Sequence, residues 1–514
     1  MRTSAIVLEG HGFGHGRGMG QWGARARASN GVPWTRILDH YYGAARLGRR
    51  DTRERIRVLV DSGRSIRLNG RELVVAAGRA TVTRARRIRV RRPGNAAIVE
   101  RKAEGTWRRV TTTRKPISVR AARGRLWLEE RDGQRAFEGR VEVRRRAGAL
   151  AAINVVGLQS YLAAVVPREM PALWPMHALR AQAVAARTYA VRVKRYARST
   201  GSDYHICATT ACQVYGGAAW RARPGGSVTT LTHPRTTRAA RDTAGRVLVW
   251  RGEPILAQYS SSTGGWTDSG GTPYLRAVRD RADRASPYHR WRVRVSASDI
   301  DAHWPAIGRL RAVHVTRRNG HGAFGGRARR VAIVGTRRTA HTTGDGFAAA
   351  LGLRSDWFRV ARTVRARAGA FTVDLGHGDR HPDVRRLQLR LRREGVYPRS
   401  APITTYFGSI TLRSLRRYQR DHDIAATGYL GPITRARLDH ERYRFTSNMG
   451  YGTRSPVVRE LQHRLRREGV YPRSAPRTNY FGSITRRAVE RYQRAHDIRA
   501  TGYLGPATRR SLNR

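Results

Sequence analysis

Apolar and polar positions alternate with a period of two over roughly residues 53–145. Ile56, Val58 and Val60 show the alternation, which is typical of strands that bury one face. Turns between these strands are expected at three dipeptides that contain glycine: Asn69-Gly70, Pro93-Gly94 and Asp132-Gly133. The pattern predicts a β-rich region of several short strands.

The next stretches combine strand and helix patterns. The uncharged stretch from Ala147 to Pro167 first alternates like a strand and carries Asn154 and Gln159, which favours a buried strand and a short helix over a membrane span. The longest helix is expected from Pro175 to about Tyr196, because Pro175 suits a first helical turn. A short strand is expected over Ile255–Ala257.

The last part of the chain contains an internal repeat. Leu387-Gln388 recurs as Leu461-Gln462 at an offset of 74 residues, and the sequence from Thr427 to Pro432 recurs at 501–506 with the same offset. Each copy has apolar positions spaced as in helix, loop, helix, turn and helix. The predicted class is therefore α+β: a β-rich domain with one long helix, followed, after a linker that begins beyond Val364, by two small three-helix modules.

Charge adds one constraint to this picture. The chain has 101 Lys and Arg against 36 Asp and Glu, a net charge of +65, and such a surface attracts polyanions. The basic residues are spread along the whole chain, and no zinc-finger, homeodomain or RNP-like pattern accompanies them. We therefore expect no specific nucleic-acid partner. Two cysteines exclude a disulfide-rich scaffold.

The two repeat copies resemble the peptidoglycan-binding domain 1 family, a small three-helix module. The resemblance rests on Tyr406-Phe407-Gly408 before a helix and on the Thr-Gly-Tyr-Leu-Gly-Pro ending. It implies binding to peptidoglycan glycan strands, and two copies raise avidity for a repetitive polymer. The same positions would also be needed simply to hold a three-helix core.

An ordered set of motifs over about residues 139–360 resembles the stage II sporulation protein D / LytB family. In chain order these are Pro167-Arg168-Glu169-Met170-Pro171, Ala178 to Tyr189, Cys212-Gln213-Val214-Tyr215, Tyr259 to Gly265, and Leu353 to Phe358. The resemblance implies a lytic transglycosylase that cleaves glycan strands. LytB-type members imply the alternative, a non-catalytic enhancer of a wall amidase.

The resemblance implies that Glu169 is the catalytic acid. A lytic transglycosylase can use one carboxyl group, which protonates the glycosidic oxygen and then helps the sugar's C6 hydroxyl to attack C1. Apolar neighbours are expected to raise the pKa of Glu169 toward the range of a general acid. The alternative is that Glu169 only favours the helix N-terminus ahead of Pro175.

Further substrate contacts are expected around this acid. Gln182, Arg187 and Tyr189 fall on the long helix, where Arg187 is expected either to hold an acetamido or lactyl group or to form a buried ion pair. The remaining candidates are polar or allow close backbone approach, although a plain turn would explain the loop equally: Gln213, Tyr259, Ser261, Ser262, Gly264 and Gly265. The position of Gln159 is often acidic in relatives, and that of Ser260 is sometimes His.

A metal site is the third implication of the resemblance. Some family members bind zinc near the segment that here contains His205, Cys207 and Cys212, so these residues are a candidate structural zinc site with one further ligand. Ala211 stands where many relatives have His. A disulfide and free thiols are the alternatives. No cofactor is required for the single-carboxyl chemistry.

The chain starts with a glycine- and histidine-rich segment, Gly10 to Ala24. Many relatives carry a similar segment after the Leu-Arg-Ser motif, near the end of the catalytic domain. We expect residues 10–43 to fold back and complete the same site, with His11 and His15 in contact with substrate. A phosphate-binding loop is the alternative, but it lacks a preceding strand and the P-loop Lys.

These features predict a wall-associated, extracytoplasmic protein whose partners are glycan strands and, in the alternative, a wall amidase. No transmembrane helix is expected, and the apolar run within Met1–Glu9 is too short for a signal peptide. The expected domains are 1–48 (the segment that completes the site), 49–145 (β-rich), 146–365 (core), 375–440 (first module) and 449–514 (second module).

Overall fold

The computed structural model of the protein describes residues 3–146, 148–365, 371, 373–439, 445–472 and 474–513. These residues form 23 strands and 13 α-helices, with strands concentrated in the first part and only helices at the end. The mixed composition agrees with the predicted α+β class. The predicted linker beyond Val364 falls largely on 366–370 and 372, and the predicted domain ends 440 and 514 also lie outside the described residues.

The N-terminal elements hold a strand, two short pairing segments and two helices. They are β1 (Thr3–His11), β2 (Met19–Gly20), α1 (Gln21–Ser29), α2 (Trp34–Tyr42) and β3 (Arg46–Arg49). The apolar side chains of α2 pack with those of the long helix described below in one buried cluster. This packing joins α2 to the long helix.

The β-rich region forms one large sheet. Its main strands are β4 (Arg55–Gly63), β5 (Ser65–Ala77), β6 (Ala80–Arg91), β7 (Ala97–Ala103), β8 (Thr106–Thr113), β9 (Ile117–Glu130), β10 (Gly133–Phe137), β11 (Arg140–Arg146) and β12 (Ala149–Gly157). The predicted turn at Pro93-Gly94 falls between β6 and β7, and the turn predicted at Asp132-Gly133 lies between β9 and β10, with Gly133 as the first residue of β10. The turn predicted at Asn69-Gly70 is wrong: both residues lie inside β5, where a register shift between Asn69 and Leu73 takes up the dipeptide as a bulge.

The buried strand β12 leads into a helical layer. It is followed by α3 (Leu158–Glu169) and by the longest helix, α4 (Met176–Ser199), as the sequence predicts. The following elements are β13 (Ile206–Cys207), β14 (Ala219–Arg221), β15 (Thr229–Thr230), α5 (Pro234–Asp242), β16 (Arg246–Trp250), β17 (Glu253–Pro254) and β18 (Tyr259–Ser260). The strand predicted over Ile255–Ala257 is wrong. These residues separate β17 from β18, and Gln258 N donates to the nearby Leu256 O instead of to a carbonyl of a neighbouring strand.

A second, smaller β-unit follows. Its elements are β19 (Arg290–Ser296), α6 (Ala297–His303), β20 (Leu310–Arg318), β21 (Ala328–Gly335), β22 (Thr339–Thr342), α7 (Gly344–Ala350) and β23 (Phe358–Arg365). The N-terminal strand β1 lies between β19 and β23 and pairs antiparallel with both. Ile6 and Leu8 of β1 are fully buried in this unit. The N-terminal strand is therefore part of the same sheet as β19 and β23.

Each repeat copy folds into three helices. The first has α8 (Pro382–Arg393), α9 (Ser409–Asp421) and α10 (Pro432–Leu438); the second has α11 (Pro456–Arg467), α12 (Ser483–Ala495) and α13 (Pro506–Leu512). In both copies a buried glutamine joins the first helix to the loop before the second. Gln388 accepts from Thr404 N at 2.7 Å, and Gln462 accepts from Thr478 N at 2.6 Å.

No helix among the described residues has the length and apolar character that a membrane crossing requires.

Candidate functional site

Glu169 is the last residue of α3 and is half-buried. Burial raises the pKa of this carboxyl above its ordinary value. Hydrogen bonds from Val214 N, Tyr259 and Gln21 act in the opposite direction, because they stabilise the charged form. The N–H of Val214 lies 3.2 Å from Oε1. The group therefore combines a raised pKa with donors that can support its carboxylate.

A buried hydrogen-bond chain orients the hydroxyl of Tyr259. Tyr161 donates to Gln213 Oε1 at 2.8 Å, and Gln213 Nε2 donates to the Tyr259 oxygen at 2.9 Å. Tyr259 also lowers the pKa of the Glu169 carboxyl, which partly offsets the effect of burial. Burial keeps the pKa of Tyr161 and of Tyr259 well above the ordinary value, so both hydroxyls stay protonated.

The glycine- and histidine-rich segment folds back onto this region. Residues Met19 and Gly20 of β2 pair in parallel with Tyr259 and Ser260 of β18. The pairing places Gln21, the first residue of α1, where its side chain lowers the pKa of the Glu169 carboxyl, and its Nε2 donates to Gln182 Oε1 at 3.3 Å. Sequence reasoning missed Gln21, although it lies within the glycine- and histidine-rich segment expected to complete the site.

The two histidines of this segment are not exposed side chains. His11 is buried against the rings of Trp357, Phe324 and His289, with centroid distances of 5.1 to 5.6 Å. His15 is half-buried, and its Nδ1 accepts from Arg17 N at 2.9 Å. Burial lowers the pKa of each imidazole to about 4, so both are neutral near pH 7. The packing of His11 leaves almost none of its surface for a ligand.

The Ser-Ser-Ser-Thr-Gly-Gly loop is folded around the buried carboxylate of Asp283. The hydroxyl of Ser262 and the backbone N–H groups of Thr263 and Gly264 all donate to it at 2.9 Å. His289 Nδ1 is also 2.9 Å from Oδ2. Sequence reasoning missed Asp283, which lies in a charged stretch with no motif of its own. Ser262 and Gly264 thus hold the loop, while Ser261 and Gly265 remain partly exposed.

Arg187 lies in the protein interior. It is 1% exposed and donates to Ala240 O at 2.8 Å, Arg246 O at 3.1 Å and Gln159 at 3.3 Å. Burial lowers the pKa of its guanidinium to about 10. These contacts tie α4 to α5 and β16, so the structure gives Arg187 a structural position and no surface for a sugar. Of the other two candidates on α4, Gln182 is fully buried beside Gln21, and Tyr189 is half-buried.

The predicted zinc site is wrong, because Cys207 and Cys212 form a disulfide bond with each other. Neither cysteine is therefore a thiolate that could bind a metal ion. His205 Nδ1 instead accepts from Arg57 N at 3.2 Å. Within the described residues, no group of three or more His, Cys, Asp or Glu side chains could hold a metal ion.

Each helical module exposes tyrosines at equivalent positions. Tyr429 is 47% exposed in the first copy and Tyr503 is 45% exposed in the second. In both cases glycine backbone flanks the ring: a Cβ on Gly431 would lie 3.2 Å from the ring of Tyr429, and one on Gly505 would lie 3.3 Å from that of Tyr503. Each module therefore carries a partly exposed tyrosine ring packed against glycine backbone.

Comparison with known proteins identifies the same parts of the chain. Residues 146–250 match the Stage II sporulation protein family (SpoIID), and residues 380–438 and 454–512 match the peptidoglycan binding domain family (PG_binding_1). Glu169 lies inside the first match, whereas Gln21, Tyr259 and Asp283 lie outside it.

The chain also resembles individual proteins. It is 38% identical over 146 residues to an amidase enhancer of Bacillus subtilis (strain 168), covering 27% of this chain and 17% of the relative. It is 31% identical over 146 residues to the stage II sporulation protein D of the same organism, covering 27% of this chain and 43% of the relative. The matches thus span less than half the length of these relatives. From these matches, the chain carries a SpoIID domain together with two peptidoglycan binding domain repeats.

Proposed function

We propose that the protein is a wall-associated lytic transglycosylase that binds peptidoglycan through its two modules and cleaves glycan strands with Glu169 as acid and base. One observation carries the proposal: Glu169 is half-buried, burial raises the pKa of its carboxyl, and Val214 N donates to that carboxyl at 3.2 Å. A general acid must hold its proton near neutral pH, and burial favours that state.

The proposed reaction uses this one carboxyl twice. Protonated Glu169 gives its proton to the glycosidic oxygen as the bond from that oxygen to C1 breaks. The resulting carboxylate takes the proton of the C6 hydroxyl, and the C6 oxygen bonds to C1 and closes a 1,6-anhydro ring. Glu169 ends protonated again, so the protons balance without water. While Glu169 is charged, hydrogen bonds from Tyr259, Gln21 and Val214 N stabilise it.

The surrounding residues receive proposed roles in this scheme. Tyr259 and Gln213 position the carboxyl, because they form the hydrogen-bond chain behind it. Ser261 and Gly265 are proposed to meet the sugar, since they are the partly exposed members of their loop. The chemistry requires no cofactor.

The modules are proposed to bind glycan through the faces of Tyr429 and Tyr503. Aromatic rings with an open face bind sugars by burying apolar C–H surface. The matched test compares the Tyr429→Ala/Tyr503→Ala variant with Tyr196→Ala, which removes a tyrosine that is 70% exposed on α4. We expect the first variant to pellet with purified sacculi less than wild type and the second to pellet normally. Equal pelleting of all three would exclude this binding surface.

A second candidate function is supported by one comparison, the relative named amidase enhancer. In that case the core would bind glycan or a wall amidase without cutting. Digestion of purified peptidoglycan by wild type and Glu169→Gln, with products identified by mass spectrometry, separates the two. Glu130→Gln is the matched control, because Glu130 pairs with Arg135 at the surface.

Anhydro-muropeptides from wild type and Glu130→Gln, but not from Glu169→Gln, are the expected result. If no variant releases fragments while all still bind sacculi, the enzyme proposal fails and the enhancer takes its place.

A further inference from the structure

A cavity on the large sheet is lined mainly by basic side chains. Its volume is about 560 Å³, which is within the range of ligand pockets. We call it the cationic cavity, and its charged lining residues are Arg71, Arg86, Arg87, Lys102, Glu104, Arg125 and Arg221. All of them except Arg221 lie outside the residues that match the SpoIID family, and none lies in the two modules.

Four neighbouring strands contribute to the cavity. Asn69 of β5 lies directly opposite Arg87 of β6 and Trp127 of β9, so these three side chains share one face of the sheet. Lys102 belongs to β7, the next strand beyond β6. Because adjacent strands are about 4.8 Å apart, a row of side chains across β9, β5, β6 and β7 spans about 14 Å. An extended chain of anionic groups fits such a row better than a single small anion does.

A β-bulge in β5 forms part of the cavity wall. Gly70 lies at the register shift between Asn69 and Arg71, and a Cβ on Gly70 would lie 2.9 Å from Arg125 O. Two residues further on, Glu72 has a φ of 53°, which side chains other than glycine rarely adopt. Bulges change the direction of nearby side chains and are frequent next to functional sites. The bulge therefore belongs to the features that shape this cavity.

Arg221 is held by three buried, uncharged side chains. Its Nε donates to Gln134 Oε1 at 2.8 Å, and its Nη2 donates to Asn69 Oδ1 at 2.9 Å. Its guanidinium carbon lies 4.0 Å from the ring centroid of Trp127. These neutral partners orient the guanidinium without neutralising its charge. Burial and the nearby charge of Arg87 lower the pKa of Arg221, so a bound anion would stabilise its charged form.

The basic residues of the cavity lack the acidic partners that other basic residues of the sheet have. Glu100, for example, pairs with both Arg89 and Arg91. In the part of the chain that the structure describes, none of the six basic side chains of the cavity forms an ion pair. The acidic lining residue, Glu104, pairs with Arg108. The positive charge of the cavity is therefore available to a ligand.

We propose that the cationic cavity binds a phosphodiester-linked polyol polymer of the cell wall. Such a chain carries one negative charge at each repeated phosphate, and the planar fork of arginine pairs with phosphate oxygens. The choice of a wall polymer rests on the proposed wall association. A single-stranded nucleic acid fits less well, because its sites present aromatic faces on which bases stack. Trp127, the one aromatic residue among the described lining residues, is buried and covered by Arg221.

The test measures binding of a defined probe to the full-length protein. A synthetic glycerol-phosphate hexamer is titrated by calorimetry at several salt concentrations. Inorganic phosphate and a single-stranded oligothymidylate with the same number of phosphates are the comparison ligands. Two triple variants that lose the same charge are compared with wild type. The cavity variant replaces three exposed basic residues of the cavity, Arg71→Gln/Arg86→Gln/Lys102→Gln. The matched control replaces three exposed arginines of β20 and β21, Arg311→Gln/Arg317→Gln/Arg330→Gln.

We expect wild type and the matched control to bind the hexamer alike, and the cavity variant to bind it at least about tenfold more weakly at low salt. The dependence of log affinity on log salt concentration should become shallower by about 2, because each phosphate contact with a single-stranded polyanion contributes about 0.7. Arg221→Lys should weaken binding without changing this slope, since lysine keeps the charge but lacks the planar fork. Melting temperatures identify any variant that has not folded.

Four outcomes would overturn the proposal. Wild type may bind no hexamer, or the two triple variants may weaken binding equally, which would show attraction by overall charge alone. Tighter binding of the oligothymidylate than of the hexamer would assign the cavity to nucleic acid. Inorganic phosphate binding as tightly as the hexamer would reduce the cavity to a site for a single anion. The probe contains no glycan, so failure of the proposed cleavage or of module binding would leave these measurements unchanged.

Discussion

Replacing Asp283 with Asn tests whether this buried carboxylate holds the loop of the proposed site. Asp283 accepts from Ser262 Oγ, Thr263 N and Gly264 N, all at 2.9 Å, and is fully buried. Thr263 N donates to one carboxylate oxygen and Gly264 N to the other. The amide of Asn has a single acceptor oxygen, so in either orientation its NH2 group faces a backbone N–H.

The expected cost follows from this count. One buried N–H loses its acceptor, and the remaining bonds lose the charge that strengthens them. Leaving one buried partner unsatisfied costs about 1–3 kcal/mol, and more where the lost partner is charged, so we expect a loss of about 3–5 kcal/mol. For a unit of this size each kcal/mol lowers the melting temperature by about 2–4 °C, which gives a shift on the order of 10 °C.

Differential scanning calorimetry of the full chain measures this shift. The helical modules act as an internal reference, because none of their described residues bonds Asp283. Asp242→Asn is the matched control: its carboxylate pairs with Arg180 at 2.7 Å but is partly exposed, so its loss should cost less than about 1 kcal/mol. Glycan cleavage by Asp283→Asn should fall as well, since the loop adjoins Tyr259. A melting temperature within about 2 °C of wild type would refute the reasoning.

Two further predictions concern single features. Burial raises the pKa of Asp280 to about 6, so the folded state keeps a proton that the unfolded chain releases near pH 4. The free energy of unfolding should therefore fall as the pH rises from about 4 to 6 and then level off. Asp280→Asn should remove this fall from melting temperatures measured across that pH range. Cys207 and Cys212 should react with iodoacetamide only after reduction, and two adducts on the unreduced protein would contradict the disulfide. The free energy of unfolding of the Cys207→Ser/Cys212→Ser variant should be roughly 2 kcal/mol lower than that of wild type.

The fold was predictable where local pattern and tertiary packing agree. The alternation of Ile56, Val58 and Val60 indicates a strand because one face of β4 is buried, and that face packs in the main core. The repeat offset revealed two copies of one module before any contact was known. The turn predicted at Asn69-Gly70 was wrong, because the pairing of β5 with β6 and β9 outweighs the turn preference of this dipeptide.

The candidate site was predictable only in part, since several of its interactions join distant segments. Motifs identified Glu169, Gln213 and Tyr259, which the structure brings together. The role of Asp283 depends on a loop 20 residues away, and its local sequence reads as a solvated charged run. The burial of Arg187 likewise depends on carbonyls of α5 and β16, which no spacing within α4 reveals.

The order of segments in this chain yields a last prediction. Strand β1 lies between β19 and β23, and the segment after it supplies Gln21 to Glu169. These contacts are non-covalent, so a break in the exposed stretch 51–53 should leave them intact. We expect fragments 1–53 and 54–514 to co-purify when expressed together and to bind sacculi as the whole chain does. Fragment 54–514 alone should expose apolar surface where Ile6 and Leu8 were buried, and should bind a hydrophobic dye. If that fragment alone melts like the full chain and still cleaves glycan, the N-terminal segment is dispensable, and the proposed contribution of Gln21 to the site is refuted.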